Sequence, residues 1–380
     1  MNARLGASML LLAAAMLLAA CTGGGGRPAA GPTGAGAAPD TAAVTAPAPA
    51  APSRPELPTT PAVKLTIGAG TSGGYAPLFV AHARGYLKEQ GLDVELTPVG
   101  NVYDLLPALA QGQIQVGTCS NNVGCFNALQ RGVDLKIVAD MSSSGQTAKS
   151  AGSTALVVRK DLWDDGTIRE PRDLVGRSVY MVAGKGSGHY ALAARWLRGQ
   201  GIDPHSIDWP LMILPDQLAA MANRAIEVGM QTEPLLTAGV VRDIHRVMAT
   251  SYEMNPNAVI LYLMYWAGID RLGPRVGERF MVGYLRGARD YINAFEYGVD
   301  QDAIIQILTE ETVVKDPAVY RQIQYGWVDP NGAFSAAALQ ADADQFHELG
   351  LTGPIDLTPV FEDRYRQFAV EYLGEYRPPR

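Results

Sequence analysis

The chain has 380 residues, with 31 Lys and Arg against 38 Asp and Glu and a formal net charge of -7. Neither sign is gathered into long blocks, which argues against nucleic acid as a partner. The histidines, His82, His189, His205, His245 and His347, are scattered, with neither a His-Glu-x-x-His pattern nor a metal-ligand spacing, so no metal or cofactor is expected.

The first segment carries Arg4 and then an apolar run from Met9 to Ala20. The run is too short to span a bilayer and has the layout of an export signal. Its end, Leu18-Ala19-Ala20-Cys21, resembles a bacterial lipobox. The resemblance implies that residues 1–20 are a signal peptide and that Cys21, lipidated on its thiol, anchors the protein at the extracytoplasmic face of a cell membrane. An ordinary signal peptide with a chance cysteine is the plain alternative. Residues 21–61 are mostly Gly, Ala, Pro, Ser and Thr. They lack the apolar surface to offset their ordering entropy and read as a flexible tether.

Residues 62–380 exceed the size at which one core usually splits, so two lobes are expected. Strand-like runs at 63–67, 92–96, 114–118, 135–139 and 154–158 alternate with helical periodicity, an α/β pattern with a largely parallel sheet. Pro77 stands in the first turn of a helix that carries Leu78, Phe79, His82, Tyr86 and Leu87 and stops at Gly91. The pattern restarts at 178–182, 208–213, 225–230 and 244–249, with a helix over 190–197. A last strand-like run, 258–264, is followed only by helical stretches at 276–296, 300–309, 316–327, 336–349 and 361–373. The chain thus builds lobe 1 from residues 62–157 and 258–380 and lobe 2 from 158–257. Crossovers near 157–161 and 257–262 would make a hinge able to close on a ligand.

Besides Cys21 the only cysteines are Cys119 and Cys125. In an exported domain they can be bridged, or they can pack as two small apolar thiols.

Three blocks carry a family pattern: 85–94 (GYLKEQGLDV), 107–117 (PALAQGQIQVG) with 126–140 (FNALQRGVDLKIVAD), and 280–291 (FMVGYLRGARDY). In this order and spacing they resemble the periplasmic solute-binding proteins of nitrate, sulfonate, taurine and thiamin-pyrimidine type, over nearly all of residues 62–380. The resemblance implies a type II periplasmic-binding-protein fold: α/β, two mixed sheets flanked by helices, joined by a double-crossover hinge. It implies a monomeric, non-enzymatic binding protein of an ABC importer, with a small-molecule ligand in the cleft and permease and ATPase subunits as partners.

Ligands of open α/β sheets lie at the carboxyl ends of the strands. The loop 68–75 supplies Thr71, Ser72 and Tyr75, and a second glycine loop, 184–190, supplies Gly186 and Ser187 at the opening of a helix. Thr118, Ser120 and Asn121 follow the third strand, and Gln231 and Glu233 follow the strand 225–230. Amides and a carboxylate read a patterned polar edge, and Tyr252, with Tyr75, Tyr180, Tyr190 and Tyr262, could stack on a flat ligand. Lys185 is the only cation in these loops, whereas a small strong anion would call for committed Arg or Lys. The expected ligand is therefore a planar, weakly charged heterocycle such as a thiamin-pyrimidine precursor or a riboflavin-type vitamin. A sulfonate, nitrate or organic acid is the alternative. On this reading Glu233→Ala or Asn121→Ala weakens binding strongly and Lys185→Ala does little.

Two enzyme readings are weaker. Gly68, Gly70 and Gly73 match a dinucleotide fingerprint, but Asp93 falls at the start of its strand, away from a ribose. A likeness to pyrimidine synthases lacks their cysteine-rich iron motif, and the Gly184–Gly188 loop lacks the glycine two before Ser187 that a nucleophile elbow needs.

Overall fold

The computed structural model describes residues 56–99, 105–145, 147, 149–150, 152–256 and 258–380. Cys21, the signal segment and most of the tether lie outside the described residues. Among those described, no helix is long and apolar enough to cross a membrane.

Two sheets organise the described residues. The first has five strands in the order β2 (Leu92–Pro98), β1 (Val63–Ala69), β3 (Val116–Cys119), β9 (Val259–Trp266) and β4 (Leu135–Ser143). The second has four, in the order β6 (Val179–Tyr180), β7 (Val228–Thr232), β5 (Thr154–Arg159) and β8 (His245–Thr250). β1 is parallel to β2 and β3, but β9 runs antiparallel to both β3 and β4, and β5 is antiparallel to β7 and β8. Both sheets are mixed, as the family resemblance implied, and the largely parallel sheet inferred from the alternation is corrected. The strand that returns from the second lobe enters the first sheet against the direction of its neighbours.

Helices cover both faces of each sheet, so the strands read as near-continuous apolar runs. On the first sheet, Leu65, Ile67, Met141 and Leu263 pack with Phe79, Phe280, Tyr284 and Tyr291 on one face. Ile137, Tyr262 and Met264 pack with Phe126, Leu339 and Phe346 on the other. On the second sheet, Leu156, Val158 and Val228 meet Tyr190, Leu197 and Trp209, and the opposite face buries Val157, Met221 and Leu236. The Val276–Tyr297 helix ends at Gly298, whose φ of 75° is left-handed, the usual glycine stop.

Three sequence expectations are corrected. Residues 208–213 form no strand; only bridges from Ser178 to Asp208 and from Met181 to Leu211 remain, with Pro210 between them unable to donate to a ladder. Helix in 316–327 shrinks to Pro317–Tyr320, because the chain turns extended and Trp327 pairs with Ser143. The outgoing crossover lies not at 157–161 but between Ser143 and Thr154, since all of β5 belongs to the second sheet. The return runs between Thr250 and Val259. A fully buried strand has the same composition in either sheet, so its sequence cannot say on which side of the hinge it lies.

Candidate functional site

Between the two sheets' helices lies a cavity of about 360 Å³. Most of its polar groups come from strand ends: Thr71, Ser72 and Tyr75 after β1, Ser120 and Asn121 after β3, Ser142 on β4, Ser187 and His189 after β6, and Thr232 at the end of β7. Leu192, Ile213, Leu214, Ile260 and Leu261 supply apolar wall.

Of the expected site residues, Thr71, Ser72, Tyr75, Ser120, Asn121 and Ser187 line this cavity. Thr118 stands behind it, its Oγ1 2.9 Å from the buried Tyr75 hydroxyl, whose pKa burial raises. Gly186 closes the turn before Ser187, and Ser187 caps the Gly188–Gly199 helix by accepting from Tyr190 N at 3.1 Å. That helix therefore points its N-terminal end at the cavity.

Gln231, Glu233 and Tyr252 are not on the cavity wall. Strand alternation is the reason for Gln231, since Thr232 faces the cavity and its predecessor faces away, whereas Glu233 lies in the turn beyond the strand. Gln231 is buried and donates through Nε2 to Leu214 O at 3.2 Å. The Glu233 carboxylate accepts from Thr237 Oγ1 at 2.7 Å, Thr237 N at 3.0 Å and Gln324 N at 3.2 Å. The expectation that Glu233 grips ligand is therefore corrected: it ties the second lobe to the 320s segment. Tyr252 sits in the short Ser251–Met254 helix. Tyr180, Tyr190 and Tyr262 are also off the wall, leaving Tyr75 as the only Phe, Tyr or Trp that the described residues place there. Tyr190 instead packs edge-on to Trp209 at 5.1 Å. Cys119 and Cys125 are joined by a disulfide, which fixes the start of the 123–130 helix beside Ser120.

Besides Ser142 and Thr232, the wall takes polar residues absent from the sequence expectation: His189, Arg195, Asn255 and Asp342. Burial pushes the His189 imidazole down to about 4, so it is neutral at physiological pH. Arg195, and not Lys185 of the glycine loop, supplies the cation on the wall. Its Nη2 donates to Asp342 Oδ1 at 3.2 Å and its Nε to Gln345 Oε1 at 3.0 Å. Asn121 Nδ2 donates to the other Asp342 oxygen at 2.7 Å. Burial raises the Asp342 carboxyl, while the Asn121 bond and the Arg195 charge oppose that. Arg195 was within reach of sequence reasoning, since Gly188, Ala191, Leu192 and Arg195 fall on one helix face three to four residues apart. Asp342 lies on the distant Ala336–Glu348 helix, and no local signal marks it.

Two lobes, two chain crossings and a cavity at the strand ends define the periplasmic-binding-protein fold. Residues 73–238 match the family described as NMT1/THI5 like. No curated protein matches the sequence. Among solved structures it is similar to the alkanesulfonate-binding protein SsuA from Xanthomonas axonopodis pv. citri bound to MOPS, with 19% identity, 79% of this chain and 98% of that chain covered, and a TM-score of 0.64. It is similar to the periplasmic nitrate-binding protein NrtA from Synechocystis PCC 6803, at 14% identity, 83% and 90% coverage and a TM-score of 0.66. A Candida albicans gene product with the generic periplasmic binding protein fold matches at 12% identity, 82% and 95% coverage and a TM-score of 0.56.

Proposed function

We propose that this protein is the substrate-binding component of an ABC importer. It captures a small molecule between its lobes outside the cytoplasm, without catalysis, and delivers it to permease and ATPase subunits. A lipid on Cys21 and the tether of residues 21–61 would hold the monomer near the membrane. The likeness in fold to SsuA and NrtA, both binding proteins by name, supports the importer role.

For the ligand we propose a small, weakly charged organic molecule with a hydrogen-bonding edge, a planar heterocycle such as a thiamin-pyrimidine precursor or a riboflavin-type vitamin. One observation carries this: Arg195, the only Lys or Arg that the described residues place on the wall, is answered by Asp342. A cavity of about 360 Å³ has room for about a dozen waters and is oversized for nitrate. A sulfonate or organic acid is the second reading, favoured by the helix that opens on the cavity at Ser187 and by the likeness to SsuA.

Native mass spectrometry of the purified protein, followed by a thermal-shift panel, tests the ligand class. A ligand at ~100 times its dissociation constant adds about 2.7 kcal/mol of stability. Retention of, or a shift with, a neutral heterocycle is the expected result. A response to sulfonates or nitrate alone would overturn the heterocycle assignment, and turnover of any panel member would overturn the binding-protein reading.

A further inference from the structure

Arg195 and Asp342 come from opposite sides of the cleft. The Gly188–Gly199 helix packs through Tyr190, Leu192 and Leu197 on the second sheet. The Ala336–Glu348 helix packs through Leu339, Ala343 and Phe346 on the first. The two side chains meet at the cavity wall, Arg195 with 38% of its side chain exposed and Asp342 with 6%. Both carboxylate oxygens are engaged, one by Arg195 and one by Asn121. A second tie between the same helices, Gln345 Nε2 donating to Ala191 O at 2.8 Å, fixes their approach. With His189 neutral, Asp342 is the negative charge that any ligand drawn to Arg195 must also meet.

We propose that Asp342 sets the charge preference of the cleft: by cancelling Arg195 it admits uncharged ligands and refuses fixed anions, and its removal converts the site into an anion receptor. The proposal rests on the reading of this cavity as the ligand site. A full charge a few ångströms from a ligand charge changes an equilibrium by one to three powers of ten, and the low polarity of the wall keeps that influence from being screened.

The test uses matched probes, ethanesulfonate and its neutral isostere ethyl methyl sulfone, titrated calorimetrically into the full chain. Asp342→Asn should bind ethanesulfonate at least about tenfold more tightly than the wild type, and its ratio of sulfonate to sulfone affinity should rise by at least the same factor. The gain should vanish in the Arg195→Gln/Asp342→Asn double variant. The single Arg195→Gln variant should show the mirror effect, at least about tenfold tighter binding of ethyltrimethylammonium, and it serves if Asp342→Asn does not fold. Sulfonate affinity in Asp342→Asn no higher than in the wild type overturns the proposal, as does a gain that survives in the double variant. If Asp342→Asn gains sulfonate while the wild type takes no member of the heterocycle panel, the charge argument stands and the heterocycle reading falls. If the wild type takes a heterocycle and Asp342→Asn gains no sulfonate, the charge argument falls alone.

Discussion

Glu233 and Asp140 are carboxyl groups enclosed near the chain crossings, and burial pushes each up to about 7. Ser143 Oγ donates to Asp140 at 2.6 Å and Asp329 N at 2.9 Å, bonds that favour the anion without offsetting its desolvation. A raised acid keeps its proton in the native state over a range where the unfolded chain has lost it. Its stabilising contribution is therefore full below the unfolded value near 4 and is lost as pH rises through about 7. Glu233→Gln should flatten this decline, narrowing the difference in unfolding free energy between pH 5 and pH 8 by ~3 kcal/mol. Urea melts at the two pH values check it, and an unchanged pH slope would show that Glu233 is already ionised at pH 5. At this scale the hydroxyls of Thr71, Ser72, Ser120 and Ser187 singled out from the sequence line the cavity, whereas the Glu233 carboxylate lies off its wall, engaged by Thr237 and by Gln324, a partner 91 positions away.

Among the elements, the Val276–Tyr297 helix shows how a charge inside a core is used. Arg279 is 1% exposed and donates from Nε to Gln90 O at 2.6 Å and from Nη2 to Gly91 O at 2.7 Å. It satisfies the carbonyls where the Tyr86–Glu89 helix turns into β2, and so fastens the longest helix to the sheet edge. Arg279→Met strands the Gln90 carbonyl, while Gly91 O keeps its bond from Val63 N, and should cost about 2 kcal/mol, measured as a lowered urea midpoint at unchanged m-value. A loss under about 1 kcal/mol would mean that water replaces the guanidinium there. Strands and long helices were legible from composition and periodicity, whereas the 208–213 and 316–327 segments were not, since Pro210 and the pairing of Trp327 with Ser143 override local pattern.

Across the whole molecule, the lobes touch where the Gly188–Gly199 helix meets the loop after β3. A Cβ on Gly188 would overlap Asn121 Oδ1 and lie 2.7 Å from the Asn121 carbonyl oxygen. Backbone on both sides leaves little room to yield, so glycine is required by this approach. Gly73 N also donates to Glu233 O at 2.9 Å, joining the lobes at a second place. Gly188→Ala should hold the lobes apart, raising the radius of gyration measured by small-angle scattering with ligand present and lowering affinity at least about tenfold. Scattering and affinity equal to the wild type would show that the lobes do not need this contact. The sequence by itself determined the α/β class, the two-lobed plan and most of the glycine and hydroxyl loops, because periodicity, turn residues and chain length are local or additive properties. Only the tertiary structure decided that β5 lies beyond the hinge, that Glu233 lies off the cavity wall, and that Arg195 is answered by Asp342. Each of these depends on which surfaces meet across the fold, and residues 147 positions apart carry no local trace of that meeting.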